Sequence, residues 1–257
     1  MNTDFEPMVP QPRLPESPAP EEPSSLQYPF WTYEDIALFF GMGLPSLVLS
    51  VVLMEAITWF LPVKPGKALY FLLAQFIGYG LWFASLVLLF RVRYDAPFWP
   101  SLAWVVPKQG FWRCVFQGPM LAFAVAWLGF LLQTPQIEMP FQQFLRDRSS
   151  LMVMGVFAVT IGPLCEELAF RGFLMPVLVR SFGPWPGVLI TAVPFALLHG
   201  PQYSWSWQHV VLLVLAGAAF GRVRYITGST AAAVLTHATY NLTFFSAMVA
   251  QGKNWQP

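Results

Sequence analysis

Charge is what this sequence has least of. Only 11% of its 257 residues are Asp, Glu, Lys or Arg, against roughly 25% in an ordinary soluble domain. With 56% hydrophobic residues and a mean hydropathy of +0.54, the chain reads as a polytopic membrane protein. A formal net charge of +1 offers no field for a polyanion, so no nucleic-acid partner is expected. Cysteine is equally scarce. Cys114 and Cys165 share no spacing pattern, which excludes a disulfide framework and a zinc ribbon. There is no HExxH helix and no repeat of fixed period. The N-terminus lacks a basic stretch followed by an apolar run, so no cleavable signal is expected.

What is present divides the chain in three. Residues 1–29 are Pro-rich and acidic and cannot bury enough apolar surface to order themselves. Residues 30–150 hold N-terminal transmembrane helices and an interfacial segment, and residues 151–250 form the core region, in which the motifs described below fall. Apolar runs at 37–61, 68–90, 114–132, 151–180, 185–199, 209–221 and 229–250 give about seven helical spans, two of them short. Residues 91–113 mix Arg91, Arg93, Lys108 and Arg113 with Phe98, Trp99, Trp104, Phe111 and Trp112, as suits an interfacial segment. An amphipathic stretch is expected around 141–145. Gly217 and Gly221 form a GxxxG pair for close helix packing. With the N-terminus cytoplasmic, Arg91, Arg93, Lys108, Arg113, Arg180, Arg222 and Arg224 fall on the inside, which favours that orientation. The protein is expected to be integral and multi-pass, in the plasma (inner) membrane if the source is bacterial.

Against this background Glu166, Glu167 and Arg171 stand out in the run 162–172. Ionisable side chains are costly in hydrocarbon, so they face a protein interior or a wet cavity. Glu167 and Arg171 are i and i+4 on a helix and can pair. Glu166 is turned about 100° from Glu167 and can stay free. Pro163 should kink the helix one turn ahead of it. Other chemistry-bearing residues inside apolar sequence are His199, and His237 with Asn241 one turn apart. A carboxylate, two imidazoles and an amide make a water-activating set. Glu166 would be the general base, and His199 would orient the water or protonate the leaving amine. His237 and Asn241 would donate to an oxyanion. His209, among aromatics at a span edge, reads as interfacial. Cys165 points about 100° away from Glu166 and is a poor nucleophile for this site.

Glu166-Glu167-x-x-x-Arg171, Phe195-x-x-x-His199 and His237-x-x-x-Asn241, in that order, resemble the three motifs of the CPBP (Abi) family of intramembrane proteases, which includes the type II CAAX prenyl endopeptidases. The resemblance runs roughly over residues 152–248. It implies an all-α polytopic transmembrane bundle of about seven to eight helices with a membrane-embedded catalytic cavity. It implies catalytic roles for Glu166, His199, His237 and Asn241, with Glu167 and Arg171 supporting the site. In eukaryotic members the substrate is a prenylated C-terminal CaaX protein that loses its last three residues. The expected partners here are the membrane and a protein or peptide substrate, prenylated or not. Family members have been classed as metalloproteases, and Glu166, His199 and His237 would make a reasonable zinc set. A metal-free glutamate mechanism is favoured and no cofactor is expected, with zinc the alternative. The competing functions are a non-proteolytic membrane adaptor or immunity protein, and a proton-coupled transporter. The absence of inverted repeats speaks against the transporter.

Overall fold

The computed structural model describes residues 27–107, 110–137 and 148–250. The acidic tail expected at 1–29 falls almost wholly outside these residues, and the amphipathic stretch at 141–145 falls outside them entirely. The described chain is helical, with no strand among the described residues. Helices α1 (Tyr33–Gly41) and α2 (Gly43–Phe60) run nearly end to end, and α3 (Lys67–Tyr94) returns beside them. A short α4 (Phe98–Ser101) leads to α5 (Phe111–Leu131). Then come α6 (Arg148–Val159) and α7 (Ile161–Glu167), a π-helical turn Leu168–Leu174, and α8 (Met175–Phe182). After them come α9 (Pro184–Leu198), a 3-10 turn Gly200–Tyr203, α10 (Trp207–Thr227) and α11 (Thr230–Ala250).

Among the described residues, five helical stretches are long and apolar enough to cross a membrane: Tyr33–Phe60, Lys67–Tyr94, Phe111–Leu131, Ser150–Phe182 and Trp207–Thr227. The protein is therefore an integral multi-pass membrane protein. The sequence count of about seven adds α9 and α11. At 15 residues α9 is short of the ~20 a perpendicular span needs. Helix α11 has the length, at 21 residues, but its apolar run is interrupted by Thr236, His237, Thr239, Asn241 and Thr243. Helix α2 shows why a membrane is needed, since Leu44, Leu47, Val48 and Val52 are all more than half exposed.

Two features hold the bundle. An aromatic core joins Trp31, Phe39, Phe90, Phe173 and Phe195, linking α1, α3, the π turn and α9. On the other side Ala122 and Val125 of α5, Phe220 of α10 and Tyr240 of α11 form a second cluster. Gly217 and Gly221 let α10 close on α9, as the GxxxG reading anticipates. A Cβ at Gly221 would meet Val188 at 2.9 Å.

Part of the segment after α3, within the strip 91–113, packs inward. Leu102 is fully buried against Gly172. The Leu102 and Ala103 carbonyls accept hydrogen bonds from the Thr230 hydroxyl and N–H, at 2.6 and 3.0 Å, and the Ser229 hydroxyl donates to the Val105 carbonyl. These bonds let an irregular backbone leave water. Gln75, read as a candidate for bonding between helices, instead donates to Tyr79 on its own helix. Glu55 accepts from the Tyr70 hydroxyl at 2.7 Å, a peripheral tie between α2 and α3.

Candidate active site

The site is built where the Ser150–Phe182 span departs from regular helix twice. Pro163 has no N–H for the Val159 carbonyl, and the helix breaks just before it, at Thr160 (φ −117°, ψ −74°). Asn241 of α11 fills this break, its amide donating to the Ala158 carbonyl at 2.8 Å. The second departure follows Glu167 directly. Residues Leu168–Leu174 widen into a π turn, which the sequence does not announce and which often marks functional positions. Pro176 follows it, one more backbone position without a donor.

Glu167 and Arg171 are both fully buried. Arg171 Nη1 donates to Glu167 Oε1 at 2.9 Å, and Nη2 donates to the Gly217 carbonyl at 2.7 Å. The guanidinium lies over the Phe195 ring, 4.4 Å from its centroid. A Cβ on Gly217 would stand 3.2 Å from Arg171 Nη2 and 3.1 Å from Phe195, so the small residue makes room for the arginine. Glu167 Oε1 also takes His237 Nδ1 at 2.9 Å. Glu167 Oε2 and Arg171 Nε make no hydrogen bond among the described residues.

Glu166 is different. Its side chain keeps 24% exposure, and two imidazoles converge on it. His199 Nε2 lies 3.9 Å from Oε1, and His237 Nε2 lies 3.8 Å from Oε2. Each ring is oriented through its other nitrogen. His199 Nδ1 is 2.8 Å from the Phe195 carbonyl, which can only accept, so Nδ1 carries the proton. His237 is fixed by Glu167 and stacks on Phe220 at 4.3 Å.

Five of the six expected site residues are thus linked by ion-pair contacts: Glu166, Glu167, Arg171, His199 and His237. Asn241 shares the α11 face of His237, but the contact it makes is with Ala158. His209 stays apart, stacked on Tyr203 at 4.7 Å and bonded to Ser206. Burial pushes the Tyr203 phenol above its usual range, so it stands beside the His199 turn as a neutral group. Cys114 and Cys165 are both free and buried.

Sequence reasoning missed Tyr79 of α3. It stacks on Phe157 of α6 at 6.2 Å, tying α3 to the span that carries Glu166. A tyrosine in an apolar span carries no periodic signal that would have singled it out. Among the described residues no group of three or more His, Cys, Asp or Glu side chains that could hold a metal ion is found, and no step below is routed through a metal.

Residues 148–243 match the family model of the Rce1-like type II CAAX prenyl endopeptidases, so this stretch of the chain is similar to that family. The match covers a little over a third of the chain and takes in every residue of the three motifs. It suggests CAAX-type intramembrane protease activity. No curated protein and no solved structure matches the chain.

Proposed function

We propose that the protein is an intramembrane endopeptidase in which Glu166 activates water against a peptide carbonyl near the membrane. The observation that carries this reading is the pair of imidazole Nε2 atoms flanking the Glu166 carboxylate at 3.9 and 3.8 Å, with no hydrogen bond to that carboxylate among the described residues. These separations are too long for direct hydrogen bonds and leave a water room to bond to carboxylate and imidazole together.

The chemistry balances as follows. Glu166 takes a proton from water, and the oxygen so released attacks the scissile carbonyl carbon. His199, holding its Nδ1 proton on Phe195, offers a bare Nε2 in its neutral form. It can accept the proton and pass it to the leaving amine. To donate to the oxyanion from Nε2 while Nδ1 donates to Glu167, His237 must carry both protons. Asn241 uses one amide hydrogen on Ala158, and its second is its route to the same oxyanion. Collapse of the intermediate breaks the C–N bond and yields a carboxylate and an amine.

The substrate we assign is a C-terminal CaaX-type segment, prenylated or not, because the Rce1-like match points to that class. The test is cleavage of a fluorogenic farnesylated CaaX peptide and its unprenylated twin in detergent, with Glu166→Ala beside wild type and a chelator arm in parallel. Cleavage by wild type alone, unaffected by chelator, is expected. Equal turnover by Glu166→Ala overturns the mechanism, and abolition by chelator overturns its metal-free form.

A further inference from the structure

Outside the family-matched stretch, residues 28–33 cross over the catalytic span and hold it at several points. Arg180 of α8 donates to the Pro29 and Trp31 carbonyls at 2.5 and 3.2 Å. Arg224 of α10 donates to the Tyr28 hydroxyl at 2.9 Å, and the Tyr33 hydroxyl donates to Ser181 at 2.7 Å. At the centre Trp31 is fully buried, with its ring stacked on Phe173 at 5.4 Å and its indole N–H donating to the Phe173 carbonyl at 2.9 Å.

That carbonyl belongs to the π turn carrying Arg171. A π turn is strained relative to α-helix and persists when its surroundings hold it. Pro176 supplies no backbone donor to this turn, and the Trp31 indole brings a donor from outside to the Phe173 carbonyl near it. If the turn relaxed to α-helix, the residues after Glu167 would change register. Arg171 would then lose its simultaneous reach to Glu167 and the Gly217 carbonyl. His237, which is oriented by Glu167, would move with it.

We propose that Trp31 is a positioning residue for the catalytic centre, clamping the π turn so that Arg171, Glu167 and His237 stay in register. Its kinetic consequence rests on the peptidase reading above, whereas its structural consequence does not.

The test compares Trp31→Phe with Trp82→Phe in the full-length protein. Both substitutions keep an aromatic ring and delete an indole-to-carbonyl bond. Trp82 donates to Phe39 at 2.6 Å, between α3 and α1, with no bond to the π turn. Trp31→Phe should lower kcat about tenfold at little-changed KM, as loss of one positioning hydrogen bond implies. It should also speed amide exchange about tenfold in residues 164–179, read by mass spectrometry. Trp82→Phe should leave both readouts near wild type. Exchange at 164–179 in Trp31→Phe equal to wild type overturns the clamp, as does kcat retained within twofold. If wild type cleaves no CaaX peptide, the peptidase reading is what has failed, and the exchange measurement alone decides the clamp.

Discussion

Glu166 and Glu167 are neighbours in sequence and identical in chemistry, yet the fold treats them in opposite ways. Glu167 is sealed from solvent and shares one oxygen between a guanidinium and an imidazole. Glu166 keeps a quarter of its surface open and meets two imidazoles across gaps near 4 Å. One carboxylate is committed to holding the site together, and the other has its lone pairs available. A buried charge is tolerable only while its partner is present, whereas a partly open one can exchange protons with water. Position on the helix, not residue type, separates the sealed carboxylate from the open one here.

The sharpest way to break this contrast is to neutralise each carboxylate in turn. Glu166→Gln should reduce peptide cleavage by about 10²–10⁴-fold, the range for loss of a general base. Thermal stability in detergent should stay close to wild type. A Glu166→Gln enzyme with more than a tenth of wild-type kcat would remove it from the proton path.

Glu167→Ala should do the reverse in kind. It strands Arg171, which is fully buried, and breaking such a pair costs about 3–5 kcal/mol. The expected result is a large loss of folded protein, measured by thermal or denaturant unfolding. The double variant Glu167→Ala/Arg171→Met should regain part of that stability, because it leaves no unpaired charge. If the double variant is as unstable as the single one, the pair is not acting as a clamp. Its two unbonded atoms, Glu167 Oε2 and Arg171 Nε, fit a cluster held for placement more than for strength.

The histidines sharpen the comparison at smaller scale. His199→Gln keeps a hydrogen-bonding amide but loses the transferable proton. It should lower kcat about 10²-fold. Unchanged kcat would assign proton delivery to another group.

Part of this arrangement was legible in the sequence. The i, i+4 spacing of Glu167 and Arg171 encodes their pairing, Pro163 encodes a break ahead of Glu166, and Gly217 and Gly221 encode the close approach of α10 to α9. These are local signals, complete within a few residues. The π turn was not legible, because nothing in the residue types of Leu168–Leu174 separates α from π. Nor was the Asn241 bond to Ala158, or Trp31 beneath Phe173, 142 residues away in sequence. Such contacts depend on which face each helix turns inward, and helices apolar all round carry no such mark. Two of the about seven expected spans are of another kind. Helix α9 is apolar but short, and α11 is long but interrupted by polar residues.

The smallest effect tests whether the committed carboxylate and the open one are coupled through packing. A methyl group at Gly217 would press on Arg171 Nη2 at 3.2 Å, Phe195 at 3.1 Å and Ala192 at 3.3 Å. Each neighbour must yield by a few tenths of an ångström, and the guanidinium is the one that moves with least backbone disturbance. Gly217→Ala should cost about 1–3 kcal/mol of stability, as overpacking does, and lower kcat about threefold through the shift passed from Arg171 to Glu167 and His237. Gly80→Ala on α3, where a Cβ meets nothing within 4 Å, should instead be neutral or stabilising by up to about 1 kcal/mol. If Gly217→Ala loses stability but keeps full kcat, the arginine cluster tolerates displacement without disturbing Glu166. The two carboxylates would then be neighbours in structure only.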